Sequence, residues 1–267
     1  MPLHQESFLT KEENDRVIGD FLETVTKNGF PAYVSKDEQR LMVAYPLEDQ
    51  NSKKLFGEVF TLIKMKDNCL EVHDIDLTIG NKKQKLHFLY RLPASNKANE
   101  YYMVALPDTD IRFVVETVNR YAVWDEEIKD IDYVVRLSAL AFRIVGYDSI
   151  EEYNKSIGFV PFESKIGRKV IGLAKDFCAP RDEETKDPYT YFLGTVQDVK
   201  DVKVRFAKKT IEFSVIFVEC FSGIMPVVIH KEIIKREKIE KGRLIEVSAF
   251  IKADLGADAT PKAIVKG

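Results

Sequence analysis

The chain has 267 residues, of which 45% are hydrophobic and 31% charged, and its net charge is −3. This balance is typical of a globular protein with a substantial core and excludes a largely disordered chain. No apolar run approaches the roughly 18 residues that a membrane-spanning helix needs, and the first residues lack the basic and apolar regions of a secretion signal.

The first predicted element is a helix over residues 11–27. Thr10 and Glu13 form a capping-box pattern, in which the hydroxyl and the carboxylate bond to free amide groups at a helix start. Apolar residues then recur at three- and four-residue spacing until Asn28-Gly29, a typical helix stop.

Short apolar runs separated by polar turns follow and predict β-strands. Ala32–Val34 and Leu41–Tyr45 are expected to form a hairpin. Because consecutive strands joined by short turns usually pair, the simplest assembly is an antiparallel meander packed on the first helix. The further predicted strands are Phe56–Met65, Cys69–Ile79, Lys85–Leu92 and Tyr101–Leu106.

Two later segments have helical spacing. Residues 108–123 fit either a helix or a strand, and the helix is favoured; residues 125–145 are predicted as a second helix from one apolar face. Ser149 and Glu152 repeat the capping-box pattern and predict a short helix. Residues 1–164 are therefore expected to form an α+β domain, an antiparallel sheet with helices.

Residues 165–267 are expected to form a second, all-β domain, with the boundary in the Gly- and Pro-rich stretch around residue 164. The order of its elements, three strand-like runs, a short helix and a final strand, resembles a small OB-like β-barrel. The resemblance is to a fold and covers about a quarter of the chain. Its predicted strands are Tyr191–Val199, Val202–Ala207, Thr210–Phe221, Ile224–Ile229 and Leu244–Ala253, and its helix is Lys231–Glu237.

Charge is divided unevenly between the two halves, −8 for residues 1–164 and +5 for residues 165–267. This division fits either a nucleic-acid face or mutual attraction between the halves. An OB-like domain binds single-stranded nucleic acid through a basic groove with stacking aromatics. The predicted phosphate contacts are Lys203, Arg205, Lys208, Lys209, Arg243 and Lys252, whereas Phe206, Phe213 and Phe217 are predicted to point into the core.

Three functions remain open, and a non-catalytic protein-interaction or scaffold role with an unknown protein partner is favoured. Single-stranded nucleic-acid binding is the second. A metal-dependent enzyme is the third and rests on His73, Asp74, Asp76 and His87, although His73 and Asp74 point to opposite faces of one strand. No nucleotide-binding or hydrolase motif is present, so neither a catalytic residue nor a cofactor is assigned.

The cysteines indicate a compartment. Cys69, Cys178 and Cys220 are odd in number and far apart, so they predict neither a disulfide framework nor a C-x-x-C site. We expect a protein of the reducing cytoplasm, without a membrane partner.

Overall fold

The structure is a computed structural model, and it describes residues 23, 27, 30–34, 40–50, 55–66, 69–80, 83–92, 100–117, 130–156, 178–180, 189–206 and 209–255. Most of the predicted helix 11–27 lies outside these residues. Glu23 and Lys27 are helical, and the Lys27 Nζ lies 2.6 Å from the Glu23 Oε1, one turn away.

The first sheet is an antiparallel meander of four strands. Its strands are β1 (Phe30–Val34), β2 (Arg40–Glu48), β3 (Leu55–Lys66) and β4 (Cys69–Ile79), and each pairs with the next in the chain. The hairpin and the two strands predicted after it are confirmed. The last two strands predicted to continue the meander, Lys85–Leu92 and Tyr101–Leu106, belong to a different sheet.

Nine further strands form the second sheet. They are β5 (Lys83–Arg91), β6 (Glu100–Ala105), β7 (Arg112–Thr117), β8 (Ile131–Tyr147), β9 (Cys178–Pro180), β10 (Thr190–Phe206), β11 (Lys209–Cys220), β12 (Gly223–Ile229) and β13 (Leu244–Asp254). Two helices lie wholly within the described residues, α1 (Ile150–Ser156) and α2 (Lys231–Arg236), close to where the sequence predicts them. The sheet order is β11-β12-β8-β5-β6-β7-β13-β10-β9.

Additional ladders close this sheet on itself. Since β10 also pairs with β11, and β8 with β13, the strands β10, β11, β12, β8 and β13 form a closed ring. In this ring β12 and β8 run parallel, and the other neighbours are antiparallel. A second closed path runs through β8, β5, β6, β7 and β13 and shares the β8–β13 ladder.

The predicted division into an α+β domain and a separate OB-like barrel is wrong. Strand β8 comes from the N-terminal half, yet it pairs along 11 positions with β13 and also joins β12. The barrel-like ring is therefore closed by a strand that precedes it in the chain, and both halves share one sheet. The boundary expected near residue 164 lies outside the described residues.

The helix predicted over 125–145 is also wrong, because β8 occupies most of it. Val135, Leu137, Ala139 and Ala141 alternate along β8 into the core, and this period of two was hidden by apolar residues on the other face. The favoured helix over 108–123 is also wrong, because the described residues 112–117 form a strand. Strand β7 lies there and is buried on both faces, a pattern that periodicity alone does not separate from a helix.

One hydrophobic cluster fills the inside of the rings and draws on every long strand of the second sheet. Its members include Leu86, Phe88, Val104, Phe113, Val135, Phe192, Ile216, Val227, Val247 and Ile251. Because these residues alternate with side chains of the outer face, the register of each ladder decides which side chains meet outside the ring.

The first sheet contacts the outside of the ring at the β10–β11 hairpin. The Gln50 amide donates to the Lys203 carbonyl over 2.9 Å, and Asp49 forms an isolated bridge with Val204. Val204 and Phe213, on that side of the hairpin, are buried. Within the described ranges, no helix has the length and apolar character needed to cross a membrane.

Candidate functional site

The six basic residues predicted to bind nucleic acid do not form one surface among the described side chains. Lys203 is exposed, as its alternation with the buried Val202 and Val204 predicts. The side chains of Arg205 and Lys209, and the whole of Lys208, lie outside the described residues.

Lys203 is held in an ion-pair network. Its Nζ lies 2.7 Å from the Glu212 Oε1, directly across the β10–β11 ladder, and the Lys231 Nζ lies 2.6 Å from the Glu212 Oε2. Hydrogen bonds from both ammonium groups lower the pKa of Glu212 to about 2. The carboxylate thus offsets much of the positive charge that a nucleic-acid phosphate would meet here.

Lys252 is not a surface residue, so its predicted phosphate contact is corrected. Its side chain is fully buried, and its Nζ lies 2.5 Å from the Glu116 Oε2. On the same face, Arg136 pairs with the buried Asp254. The sequence pattern placed Lys252 outward from the ring correctly, but neighbouring parts of the fold cover that position.

Arg243 is half-buried and serves the fold. Its Nη2 lies 3.0 Å from Asp148 Oδ1, and its Nη1 donates to the Lys238 carbonyl over 3.1 Å. A Cβ added at Gly146 would come within 2.8 Å of the Arg243 Nε, so only a glycine leaves room for this guanidinium. Arg243 therefore ties the loop after α2 to the end of β8.

The three aromatic residues of the β10–β11 hairpin that were predicted to point into the core differ in their burial. Phe213 is buried, as predicted, whereas Phe217 is half-buried with the Lys200 ammonium 5.0 Å from its ring centre. The side chain of Phe206 lies outside the described residues. No stacking platform for bases emerges from the described aromatics of this hairpin.

The predicted metal ligands are only partly described. Side chains of His73, Asp74 and Asp76 lie outside the described residues, whereas the His87 ring lies between two carboxylates. Its Nδ1 is 2.8 Å from Asp132 Oδ1 and its Nε2 is 3.1 Å from Asp130 Oδ1. Because the ring separates these carboxylates, they do not converge on one point; no metal-binding group of three or more such side chains occurs in the described ranges.

His87 is instead the centre of a charged cluster. A hydrogen bond to Asp132, and a further one to Asp130, raise the pKa of His87, although its partial burial acts in the opposite direction. Lys85, whose Nζ lies 2.6 Å from Asp132 Oδ2, adds a second cation and helps to lower the pKa of Asp132. The cluster fastens the start of β8 to β5.

A different site lies where α1 covers the outer face of β8, β13 and β10. Tyr147, Tyr153, Tyr191 and Glu246 together make up this Glu246 site. Glu246 is paired with Val145 on one side and Leu193 on the other. Tyr147 and Tyr191 each lie two residues from those partners, so both are diagonal neighbours of Glu246, at about 7–8 Å between backbones.

Helix α1 supplies the third ring. Its start is fixed by the capping box, in which the Glu152 amide donates to the Ser149 Oγ over 3.2 Å and the Asp148 amide donates to the Glu152 carboxylate. This start places Tyr153 against Tyr147, with ring centres 5.2 Å apart and planes at 81°. The two rings therefore form a right-angled corner beside the sheet.

Burial and charge both mark the Glu246 site. Tyr147 and Tyr153 are buried, whereas Tyr191 and Glu246 are half-buried and give the site its contact with solvent. Burial, followed by the negative charge of Glu246 and the neighbouring Tyr147 and Tyr191, raises the pKa of Tyr153 to about 12. The phenol of Tyr153 is thus neutral at physiological pH.

The carboxylate of Glu246 has neither a hydrogen bond nor an ion pair within the described part of the chain. Arg143 lies opposite Ser248 on β13, two residues along from Glu246, and the described side chains show no ion pair between Arg143 and Glu246. A half-buried carboxylate normally has a partner, because removing charge from water costs free energy. The solvent-facing groups of the site are therefore a carboxylate and the half-buried Tyr191, and a carboxylate of this kind is suited to pairing with a cation.

Sequence reasoning did not find this site. Tyr147, Tyr191 and Glu246 come from three separate strands, and residues 125–145, just before Tyr147, were assigned to a helix. Of the features of this site, the sequence predicted only the helix start at the capping box of Ser149 and Glu152. The pairing of β13 with β8 and β10 brings Tyr147, Tyr191 and Glu246 together, and no local sequence pattern predicts that pairing.

No protein-family model, curated protein or solved structure matches this chain.

Proposed function

We propose that this protein is a non-catalytic protein-interaction module, and that the Glu246 site receives a cationic side chain of its partner protein. One observation carries the proposal: Glu246 is a half-buried carboxylate beside three tyrosines, and no residue that the structure describes forms an ion pair with it. No nucleophile, base or metal is required for this role.

The physical basis is the position of Glu246, which is half-buried on the outer face of the sheet. An incoming ammonium or guanidinium group would form charge-assisted hydrogen bonds with its carboxylate, and these are stronger than neutral ones. Aromatic faces add cation–π attraction, about 0.5–2 kcal/mol for one ring at a partly desolvated site. Tyrosine is also enriched at the centres of protein interfaces.

Single-stranded nucleic-acid binding is supported by fewer residues than the sequence suggested. Of the six predicted contacts, Lys252 is buried, Arg243 is bonded to Asp148 and Lys203 is paired with Glu212. That function was also inferred from a separate OB-like barrel, whereas the ring observed here includes β8 from the N-terminal half. The protein-interaction role is therefore the better supported of the two.

The test compares partner proteins captured by the wild type and by Glu246→Gln from cells that express the protein. The substitution keeps the shape of the side chain and removes its charge. Glu240→Gln is the matched control, since Glu240 is an exposed acidic residue of the loop before β13. Thermal melting of each variant checks that it is folded.

We expect at least one partner to be captured by the wild type and by Glu240→Gln and lost with Glu246→Gln. Substituting the partner's cationic residues should then remove the interaction. If Glu246→Gln captures the same proteins in the same amounts as the wild type, the proposed role of the site is wrong.

A further inference from the structure

We infer that the second sheet consists of two repeats of one structural unit, which bind each other by exchanging their last strands. The first repeat is β5, β6, β7 and β8, and the second repeat is β10, β11, β12 and β13. Each repeat is the binding partner of the other, and their interface is the β8–β13 ladder with the two parallel ladders beside it. This inference goes beyond the proposed function and does not depend on it.

Both repeats have the same pattern of strand pairing. In each, the first strand pairs antiparallel with the second and with the fourth, and the second strand pairs antiparallel with the third. The third strand pairs in parallel with the fourth strand of the other repeat, β7 with β13 and β12 with β8. The two fourth strands pair antiparallel with each other. Each ring is consequently closed by a strand of the other repeat.

The residue registers agree as well, which the same strand order alone would not require. In the parallel ladders, Glu116 pairs with Lys252, and Val228 pairs with Leu140. The numbers of corresponding residues in the third and fourth strands thus differ by 112, because 228 − 116 and 252 − 140 are equal. Both parallel ladders therefore join the same positions of the two repeats.

The first strand of each repeat follows the same register. Lys83 pairs with Arg136 in the first repeat and Tyr191 pairs with Ser248 in the second, and 248 − 136 is again 112. In both repeats a β-bulge against the second strand begins five residues after Lys83 or Tyr191. Bulges are conserved within protein families, so a shared one supports a common origin. They lie between Phe88 and Tyr90 in β5 and between Val196 and Asp198 in β10.

The two repeats also share residues in the core. Four corresponding positions hold the same amino acid, and all eight residues belong to the cluster inside the rings. Outside the rings the repeats differ, for example at Lys252, whose counterpart is Leu140. Close packing constrains buried side chains, so this is the result expected of a duplication. The shared residues are Val104 and Val218, Val115 and Val227, Val135 and Val247, and Ala141 and Ala253.

A two-fold relation connects the repeats. Ala139 pairs with Ile251 in the β8–β13 ladder, and each is the counterpart of the other, because 251 − 139 is also 112. An interface between two units related in this way is isologous, which means that both units use the same surface. The chain therefore has the organisation of a strand-exchanged dimer joined into one polypeptide.

The exchange makes the two rings depend on each other. Strand β13 closes the ring of the first repeat, and β8 closes the ring of the second. Without the other repeat, the third strand of each would keep an open edge, which is a site of non-specific pairing. Neither repeat is therefore expected to fold alone, and the two should unfold as one unit.

The test cuts the intact, folded protein between its repeats. A protease recognition sequence is inserted between residues 164 and 165, in the Gly- and Pro-rich stretch that joins them. Size-exclusion chromatography measures the mass, and urea unfolding followed by circular dichroism measures the number of transitions. Amide-to-amide nuclear Overhauser effects (NOEs) in the deuterated protein identify neighbouring strands. The uncut protein is the control for each measurement.

We expect both pieces to elute together at the mass of the uncut protein and to unfold in a single transition. NOEs should connect β7 with β13 and β12 with β8, before and after the cut. Ile251→Asn should separate the pieces of the cut protein, because it places an amide in the core at the two-fold position. Ile224→Asn is the matched control and should not separate them, since Ile224 is 45% exposed and lies outside the β8–β13 ladder.

Two results would overturn the inference. Pieces that elute separately, each with the circular dichroism of a folded protein, would show that each repeat closes its own ring. NOEs that connect β7 with β8 and β12 with β13 would show that the repeats associate without exchange. Neither result bears on the capture of partners by Glu246→Gln, which tests the proposed function separately.

Discussion

Lys252 and Glu116 form an ion pair at 2.5 Å between Nζ and Oε2, across the parallel ladder that joins β13 to β7. Both side chains are almost fully removed from solvent. This ladder is only two residue pairs long and closes the path through β5, β6 and β7 onto β13. The ion pair therefore stabilises this register of β13 against β7.

Removing one partner of this pair should be costly. We expect Lys252→Met to lower the free energy of unfolding by about 3–5 kcal/mol, because it leaves the Glu116 carboxylate buried without a counter-charge. The double variant Lys252→Met/Glu116→Leu should recover most of the loss. Urea unfolding of the single and double variants measures both values, and Lys235→Met, at an exposed position on α2, serves as the control. A loss below about 1 kcal/mol for Lys252→Met would contradict this prediction.

Phe213 is a core residue of the β10–β11 hairpin, with 1% of its surface exposed. Phe213→Ala should lower the free energy of unfolding by about 3–5 kcal/mol, as expected when a buried aromatic ring is removed and a cavity remains. Ile224→Ala is a useful comparison, because Ile224 is 45% exposed and should cost far less. Equal losses in the two variants, measured by urea unfolding, would show that the Phe213 side chain is not buried in a packed core.

His87 should titrate above the ordinary histidine value of about 6.5, because Asp132 and Asp130 hold its protonated form. Since the folded pKa is raised, the stabilisation is fully present below the unfolded pKa and is lost as the pH rises through the folded one. Asp132→Asn should lower the pKa of His87, as measured by the pH dependence of its ring proton resonances. An unchanged titration in Asp132→Asn would exclude Asp132 as the cause of the raised pKa.

Glu212 should titrate at about 2, well below the ordinary value, because Lys203 and Lys231 hold its ionised form. Its folded pKa is lowered, so its contribution to stability is present above the unfolded pKa and is lost as the pH falls towards the folded one. Lys203→Gln should raise the pKa of Glu212, and adding Lys231→Gln should raise it further. Carboxyl carbon chemical shifts in an acid titration measure both steps; a pKa that stays at its wild-type value in the double variant would refute the assignment.

Local patterns determined much of the secondary structure. Alternating apolar residues predicted the strands of the first sheet and the outward position of Lys203, because side chains of a strand point to its two faces in turn. Ser149 and Glu152 predicted the start of α1, because a capping box needs only the residues of one helical turn. Such signals depend on neighbours in the chain and are therefore visible in the sequence.

The tertiary structure decided which strands meet, and with it the candidate site. Val135 and Val145 fit a helical stripe as well as a strand, and only the pairing of β8 with β13 and β12 resolved the two. Lys252 was placed on the correct face, but its burial depends on what covers that face. Glu246 and Tyr191 are 55 residues apart in the chain and become neighbours through the β10–β13 register, because hydrogen-bonded ladders bring together residues that no local pattern connects.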